Sequence, residues 1–102
     1  MKKIKAIIRV EKYLDVRKAL FEKGYEDIIV KKVKGRGLQW GVLGRYRARE
    51  KILDLVPKVK IELTVRDDEV DEIIKIICEH GRMGKPGDGK IFVLPMEKIV
   101  NI

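Results

Sequence analysis

Val59-Lys60-Ile61-Glu62-Leu63-Thr64-Val65 places an apolar residue at every second position, with charged or polar residues between. Such alternation is typical of a β-strand with one buried face. Apolar residues at helical spacing follow, and they predict a helix that starts at Asp67 or Asp68, either of which can cap it, and runs to about His80. Ile91 to Leu94 then reads as a strand. The residues predicted to face inward from this helix are Val70, Ile73, Ile74, Ile77 and Cys78.

The first half of the chain repeats this strand–helix–strand pattern at a constant offset. Lys3 to Val10 predicts a strand, Glu11 to Lys23 a helix, Gly24 its C-terminal stop and Ile28 to Val33 a second strand. Gly81 takes the place of Gly24 in the second half. Two such units predict an α+β, ferredoxin-like fold, with a four-stranded antiparallel sheet and two helices on one face. We expect apolar side chains on the open sheet face, and a homo-oligomer that covers them.

Composition favours one globular domain, residues 1–102, with 45% hydrophobic and 39% charged residues. No apolar run is long enough to span a bilayer and no signal peptide is evident, so we expect a cytoplasmic protein without membrane insertion. The single cysteine, Cys78, fits a reducing compartment, and the single histidine, His80, makes a zinc site improbable. The chain has no serine, and its Lys, Glu, Arg and Ile content resembles that of hyperthermophile proteins.

Two basic, glycine-rich turns indicate a phosphate-bearing ligand. One is Gly87-Asp88-Gly89-Lys90, and the other is the segment Lys34-Gly35-Arg36-Gly37-Leu38-Gln39. Glycines allow the backbone to turn tightly and approach a ligand, and successive N–H groups can form an anion site. Gly87-Asp88-Gly89-Lys90 matches neither the dinucleotide fingerprint nor the Walker A pattern. Alone, it is also compatible with a hairpin turn and a solvated lysine.

Between the halves, residues 37–56 show no clean period and contain several basic side chains, among them Arg45, Arg47, Arg49 and Lys51. A long loop inside a small domain is usually functional or mobile, so we expect both here. An insertion of no consequence is the alternative.

These motifs, in this order and spacing, resemble the PII nitrogen signal-transduction proteins over nearly the whole chain. The opening Met1-Lys2-Lys3-Ile4 is similar to the first strand of the family. Val33 to Gly37 with Gln39 is similar to the base of its T-loop, and Leu55 to Glu62 to the strand after that loop. Gly84-Lys85 with Gly87 to Val93 is similar to its B-loop, about residues 82–90, and to its last core strand.

The resemblance implies a homotrimer that binds ATP or ADP in the clefts between subunits. It also implies that magnesium, held by the ATP phosphates and Gln39, presents 2-oxoglutarate to Lys58. The implied nucleotide contacts are Ile7, Ile29, Gly35, Gly37, Leu38, Thr64, Gly87, Asp88, Gly89 and Lys90.

For the T-loop, residues 37–56, the resemblance implies contact with a target such as an ammonium transporter or a nitrogen-assimilation enzyme. When the target is a transporter, the protein would lie at the inner face of the membrane. Arg47, which follows Tyr46, stands where a loop-tip arginine enters the channel mouth in the branch that regulates transporters. The implied partner contacts are Arg45, Tyr46, Arg47 and Arg49.

The chain also departs from the family pattern. Leu38 replaces an arginine that faces phosphate, Met83 replaces a threonine, and Asn101 stands where a basic residue is usual, with a further arginine missing beyond it. Each lost cationic contact removes roughly 1.5–3 kcal/mol, so we expect nucleotide affinity below the family norm. Lys51 replaces the tyrosine that some members uridylylate, so that modification is not expected.

Two other functions remain open. One is a degenerate PII paralogue that keeps the trimer and partner binding but has weak or lost nucleotide binding. The other is a basic ferredoxin-like module that binds RNA, which the net charge of +8 allows. Against it, the aromatic pair expected on an RNA-binding sheet face is absent, so nucleic acid is not the expected partner. The sequence shows no activated nucleophile or tuned base, so an enzyme is not expected.

Overall fold

The computed structural model describes residues 1–35 and 56–102. Short 3₁₀ turns, Val10–Lys12 and Asp67–Glu69, precede the two helices, and the strands pair antiparallel in the order β2-β3-β1-β4. This is the predicted double strand–helix–strand arrangement. In the part described, no helix is long and apolar enough to cross a membrane. The elements are β1 (Lys2–Arg9), α1 (Tyr13–Glu22), β2 (Ile29–Gly35), β3 (Val56–Val65), α2 (Val70–Gly81) and β4 (Gly89–Pro95).

The core lies between the sheet and the two helices. The alternate apolar residues of β3 and their counterparts in β1 are buried, as the repeated pattern predicts, but the buried stripe of α2 differs from the prediction. Ile76 is buried, whereas Ile74 and Cys78 are only half-buried and line a cavity beside β4. The buried apolar residues are Ile4, Ala6, Ile8, Val16, Ala19, Leu20, Val59, Ile61, Leu63, Val65, Ile73, Ile76 and Ile77.

The N-terminal cap of α2 is not the one predicted. Because the helix is preceded by a 3₁₀ turn, the Glu69 carboxylate reaches back and accepts the Arg66 N–H at 2.8 Å. Asp67 instead pairs with the N-terminal ammonium group at 2.9 Å, and Asp68 pairs with the Arg66 guanidinium at 3.1 Å. The acidic run still suits the positive end of the helix dipole.

The two equivalent glycines have different structural roles. Gly24 lies just beyond α1 with φ +90°, which confirms it as the helix stop. Gly81 is the last residue of α2 and is buried. A Cβ there would lie 3.4 Å from Val16 Cγ2 and 3.6 Å from Ile8 Cγ2. Gly81 therefore permits close packing of α2 on α1 and β1 rather than a left-handed turn.

The open face of the sheet is more cationic than expected. Side chains directly opposite each other in antiparallel strands share a face, so Ile7 lies beside Lys60 and Lys90. Exposed apolar side chains, Ile29, Phe92 and Leu94, are present, but they alternate with charges. The charged side chains that the register places on this face are Lys3, Lys5, Arg9, Lys31, Lys58, Lys60, Glu62 and Lys90.

Candidate functional site

The loop between α2 and β4, residues 82–88, is organised around one carboxylate. Asp88 accepts backbone N–H groups from Met83 at 3.1 Å, Gly84 at 3.0 Å and Lys85 at 3.3 Å. These bonds close the loop on itself, so its backbone has a defined shape. The Asp88 side chain is thus engaged within the loop, and the loop offers a ligand its backbone rather than this carboxylate.

Arg9 links this loop to the sheet. Its side chain is buried, with 7% exposure of the residue, and it reaches across the end of β1. The guanidinium Nε donates to Asp88 Oδ1 at 3.0 Å, and Nη2 donates to the Pro86 carbonyl oxygen at 3.1 Å. Desolvation alone would raise the pKa of Asp88, but the Arg9 bond and the three N–H donors outweigh it. The pKa of Asp88 falls from 3.8 to about 2.

Lys58 lies opposite Arg9 in the sheet register and is also buried, at 4% exposure. Its ammonium group donates to the carbonyl oxygen of Gly87. Burial, followed by the nearby charge of Arg9, lowers the pKa of Lys58. Lys58 is therefore not a solvated lysine at a strand edge, because β3 is an interior strand and the side chain contacts the loop.

Two glycines give the loop its approach to the sheet. Gly87 has φ +92° and Gly89 has φ +130°, conformations that L side chains rarely adopt. A Cβ on Gly89 would overlap the carbonyl oxygen of Ile7 and lie 2.9 Å from its carbonyl carbon. Lys90 is then paired opposite Ile7. The structure thus brings together six of the predicted ligand residues, Ile7, Lys58, Gly87, Asp88, Gly89 and Lys90.

The remaining described ligand residues lie elsewhere on the open face. Ile29 is the first residue of β2 and is 57% exposed, Thr64 lies opposite Lys3, and Gly35 ends β2. Strand β3 separates Ile29 from Ile7. Within residues 1–35 and 56–102, one chain therefore does not assemble the whole predicted nucleotide contact set.

The other predicted site residues fall outside the residues that the structure describes. They are the T-loop-base residues Gly37, Leu38 and Gln39 and the partner-contact residues Arg45, Tyr46, Arg47 and Arg49.

A second charged cluster centres on Glu62. Its carboxylate lies 3.4 Å from Lys3 Nζ, 3.5 Å from Lys60 Nζ and 3.8 Å from Lys5 Nζ. Desolvation acts to raise the pKa of Glu62, but hydrogen bonds and charge from Lys3 and Lys60 lower it overall. One carboxylate thus faces three ammonium groups, which leaves a local excess of positive charge on the open face.

Beside the loop lies a cavity of ≈ 330 Å³ between α2 and the start of β4. Ile74 and Cys78 line it from the helix, and Ile7 and Lys90 from the sheet. Within the part described, His, Cys, Asp and Glu side chains form no group of three or more that could hold a metal ion.

Sequence reasoning missed Arg9 as a site residue. Arg9 and Asp88 are 79 positions apart, and no local pattern joins them. The sequence carried no local signal, because the alternation of β1 places Arg9 on the open face with Lys3 and Lys5, where an exposed cation is expected.

The chain matches the family model described as "Nitrogen regulatory protein P-II" over residues 1–102. It is 43% identical over 102 residues to "Nitrogen regulatory protein P-II 2" of Methanothermobacter thermautotrophicus, which covers all of this chain and 89% of the relative. It is 47% identical over 102 residues to "Nitrogen regulatory protein P-II 1" of Escherichia coli K12, covering all of this chain and 91% of the relative.

Among solved structures, the fold is similar to that of Arabidopsis thaliana PII bound to citrate. The TM-score is 0.78 at 33% sequence identity, and the match covers 99% of this chain and 79% of the plant protein. The relatives are named as regulatory proteins.

Proposed function

Because this chain belongs to the nitrogen regulatory protein P-II family, we propose that it is a signalling protein that senses an adenine nucleotide, ATP or ADP, through its B-loop. Family members are non-enzymatic regulators that form trimers and act on target proteins. The proposal for this chain adds the ligand, the residues that bind it and the kind of target.

The observation that supports nucleotide binding is the arrangement of the B-loop. Asp88 and Arg9 hold the loop in one shape, Gly87 and Gly89 bring its backbone close to β1, and Lys90 follows beside Ile7. Backbone N–H groups fixed in such a turn can bind phosphate oxygens, and Lys90 adds a mobile positive charge. We assign the phosphates to Gly87, Asp88, Gly89 and Lys90.

The rest of the nucleotide site comes from a neighbouring copy in the trimer. The proposed adenine contacts are Ile7, which lies beside the B-loop of the same chain, and Ile29 and Thr64, which lie farther along the open face that the trimer covers. The proposed contacts Gly35, Gly37 and Leu38 belong to the T-loop base. The separation of Ile29 from the B-loop within one chain is in agreement with a site shared between subunits.

A second effector, 2-oxoglutarate, is proposed to bind with Mg²⁺ at Gln39 and Lys58. Magnesium, held by nucleotide phosphates and Gln39, would supply the positive charge that lets a dicarboxylate lie beside a polyphosphate. Lys58 already points at the B-loop, where it contacts Gly87. The Arabidopsis PII with the similar fold was solved with citrate, also a carboxylate.

The proposed target is an ammonium transporter or a nitrogen-assimilation enzyme, contacted by the T-loop through Arg45, Tyr46, Arg47 and Arg49. The protein would act in the cytoplasm and would lie at the inner membrane face when bound to a transporter. Arginine side chains suit a target surface that offers carboxylates or carbonyl groups.

Isothermal titration with ATP and ADP, alone and with Mg²⁺ and 2-oxoglutarate, tests the proposal. We expect saturable nucleotide binding that Lys90→Ala weakens, while Lys75→Ala, which removes an exposed helix lysine, leaves it unchanged. If Lys90→Ala and Lys75→Ala weaken nucleotide binding equally, the effect is one of general charge. If the parent protein binds no nucleotide, the degenerate paralogue is favoured. A steeply salt-dependent complex with RNA instead would favour the RNA-binding module.

A further inference from the structure

Two buried cations hold three consecutive B-loop residues against the sheet. Arg9 contacts the Asp88 carboxylate and the Pro86 carbonyl oxygen, and Lys58 contacts the Gly87 carbonyl oxygen. Both side chains come from the ends of paired strands, at opposed positions. Because Arg9 is 7% and Lys58 4% exposed, neither is free to rotate toward solvent without breaking these contacts.

These contacts set the direction of two peptide groups. In a planar trans peptide the C=O and N–H bonds point in opposite directions. Since the Pro86 carbonyl faces Arg9, the Gly87 N–H points away from the guanidinium. Since the Gly87 carbonyl faces Lys58, the Asp88 N–H also points away from the sheet cations. Two successive N–H groups thereby point away from the sheet cations, and successive N–H groups of this kind can form an anion site.

We infer that Arg9 is a positioning residue for nucleotide phosphate, which orients the Gly87 N–H group through its bond to the Pro86 carbonyl oxygen and holds the loop in shape through its bond to the Asp88 carboxylate. Lys58 orients the Asp88 N–H group in the same way, through the Gly87 carbonyl oxygen. This inference rests on the proposed nucleotide site. Arg9 itself does not touch the phosphate, because its guanidinium is occupied on the sheet side of the loop. Arginine suits the position because its planar fork reaches two acceptors at once, which a lysine cannot do with the same geometry.

The test measures ADP affinity by titration calorimetry for four proteins at one salt concentration. Arg9→Gln should weaken binding about 10-fold or more, since loss of a charge-assisted hydrogen bond lies in that range. Arg9→Lys should retain part of the affinity, because it keeps the charge and one of the two bonds. Arg17→Gln, which removes an exposed arginine that lies over Phe21, is the charge control and should bind as the parent does.

A double-mutant cycle with Asp88→Asn separates positioning from direct contact. If Arg9 acts by holding the loop that Asp88 also holds, Arg9→Gln weakens ADP binding less in the Asp88→Asn background than in the parent, so the two losses are not additive. Fully additive losses would mean that Arg9 acts independently of the loop shape that Asp88 maintains, and they would overturn the inference. An unchanged ADP affinity in Arg9→Gln would overturn it as well.

Amide hydrogen exchange of the ligand-free protein gives an independent readout. Arg9→Gln should speed exchange of the Gly84 and Lys85 amides, which donate to Asp88, while core amides of β3 keep their protection. If the parent binds no ADP, the proposed nucleotide site fails. The exchange experiment then still decides whether Arg9 orders the loop. Unchanged exchange rates of the Gly84 and Lys85 amides in Arg9→Gln would show that it does not.

Discussion

Lys58 on β3 donates a hydrogen bond to the carbonyl oxygen of Gly87 in the B-loop. Because β3 begins at Val56, Lys58 lies two residues beyond the start of the strand that follows the T-loop. A single buried side chain therefore joins the strand that follows the T-loop to the proposed phosphate site. A ligand that contacts Lys58 would act directly beside the loop that we propose to bind nucleotide.

Replacement of Lys58 by methionine should separate stability from ligand binding. The variant loses one hydrogen bond, but it also removes a buried charge that Arg9 repels, so we expect the free energy of unfolding to change by less than about 1.5 kcal/mol. Binding of 2-oxoglutarate in the presence of Mg²⁺ and ATP should be lost in calorimetry. Lys85→Met, at an exposed loop lysine, is the control. Undiminished 2-oxoglutarate binding would remove Lys58 from the proposed site.

Gly89 should tolerate no side chain. Gly89→Ala adds a Cβ that overlaps the Ile7 carbonyl oxygen, and the residue has φ +130°, so backbone strain and the clash both act on the start of β4. We expect a loss of stability greater than the roughly 1–2 kcal/mol of left-handed strain alone, measured by urea unfolding.

Gly24→Ala is the matched control for that change, since Gly24 has φ +90° but nothing within 4 Å of an added Cβ. Gly24→Ala should lower the free energy of unfolding by the cost of backbone strain alone, because the added Cβ contacts nothing. Equal destabilisation by the two variants would mean that the close approach of Gly89 to β1 contributes nothing.

The Glu62 cluster holds three ammonium groups around one carboxylate, so removal of one lysine should stabilise the protein. Lys5 is the most distant of the three lysines, at 3.8 Å from the Glu62 carboxylate. Lys5→Gln therefore removes the repulsion of Lys5 by Lys3 and Lys60 and loses only a weak attraction to Glu62. We expect stability to rise by up to about 1 kcal/mol at low salt and to approach the parent at high salt. Urea unfolding at both salt concentrations measures this. Lys75→Gln should show no such gain, and a loss of stability in Lys5→Gln at low salt would contradict the prediction.

The fold was predictable because local patterns agree with the global arrangement. The alternation of apolar residues from Val59 to Val65, and its repeat from Ile4 to Ile8, correctly predicted which strand residues are buried in the core. The cap of α2 was predicted wrongly, because a 3₁₀ turn shifts the helix start and lets Glu69, rather than an aspartate, bond to the Arg66 N–H. Gly81 corresponds to Gly24 in the repeat but serves helix packing, and nothing local in the sequence distinguishes a turn glycine from one required by packing.

The candidate site was predictable only in part. Gly87 to Lys90 stand out locally through their glycines, whereas the contact of Arg9 with Asp88 depends on the pairing of β1 with β4. The charge of the open face likewise follows from the register, which places Lys60 beside Ile7 and Lys5 beside Glu62. Such relationships between distant segments exist only once the sheet is assembled.

The last prediction concerns Tyr25, whose hydroxyl donates to the Glu69 carboxylate at 3.0 Å and ties the segment after α1 to the start of α2. Burial, followed by this bond and the charge of Glu69, raises the pKa of Tyr25 from 10.0 to about 12. Because the phenol of Tyr25 holds its proton more tightly in the folded state, the protonated form stabilises the fold. This contribution to the free energy of unfolding is complete below pH 10 and is lost as the pH rises toward 12. Tyr25 should therefore ionise late in a near-ultraviolet titration of the folded protein. Tyr25→Phe should remove that late phase and lower stability at pH 7 by roughly 0.5–1.5 kcal/mol, while Tyr13→Phe should keep the late phase. If the late phase survives in Tyr25→Phe, the bond to Glu69 does not hold the phenol protonated.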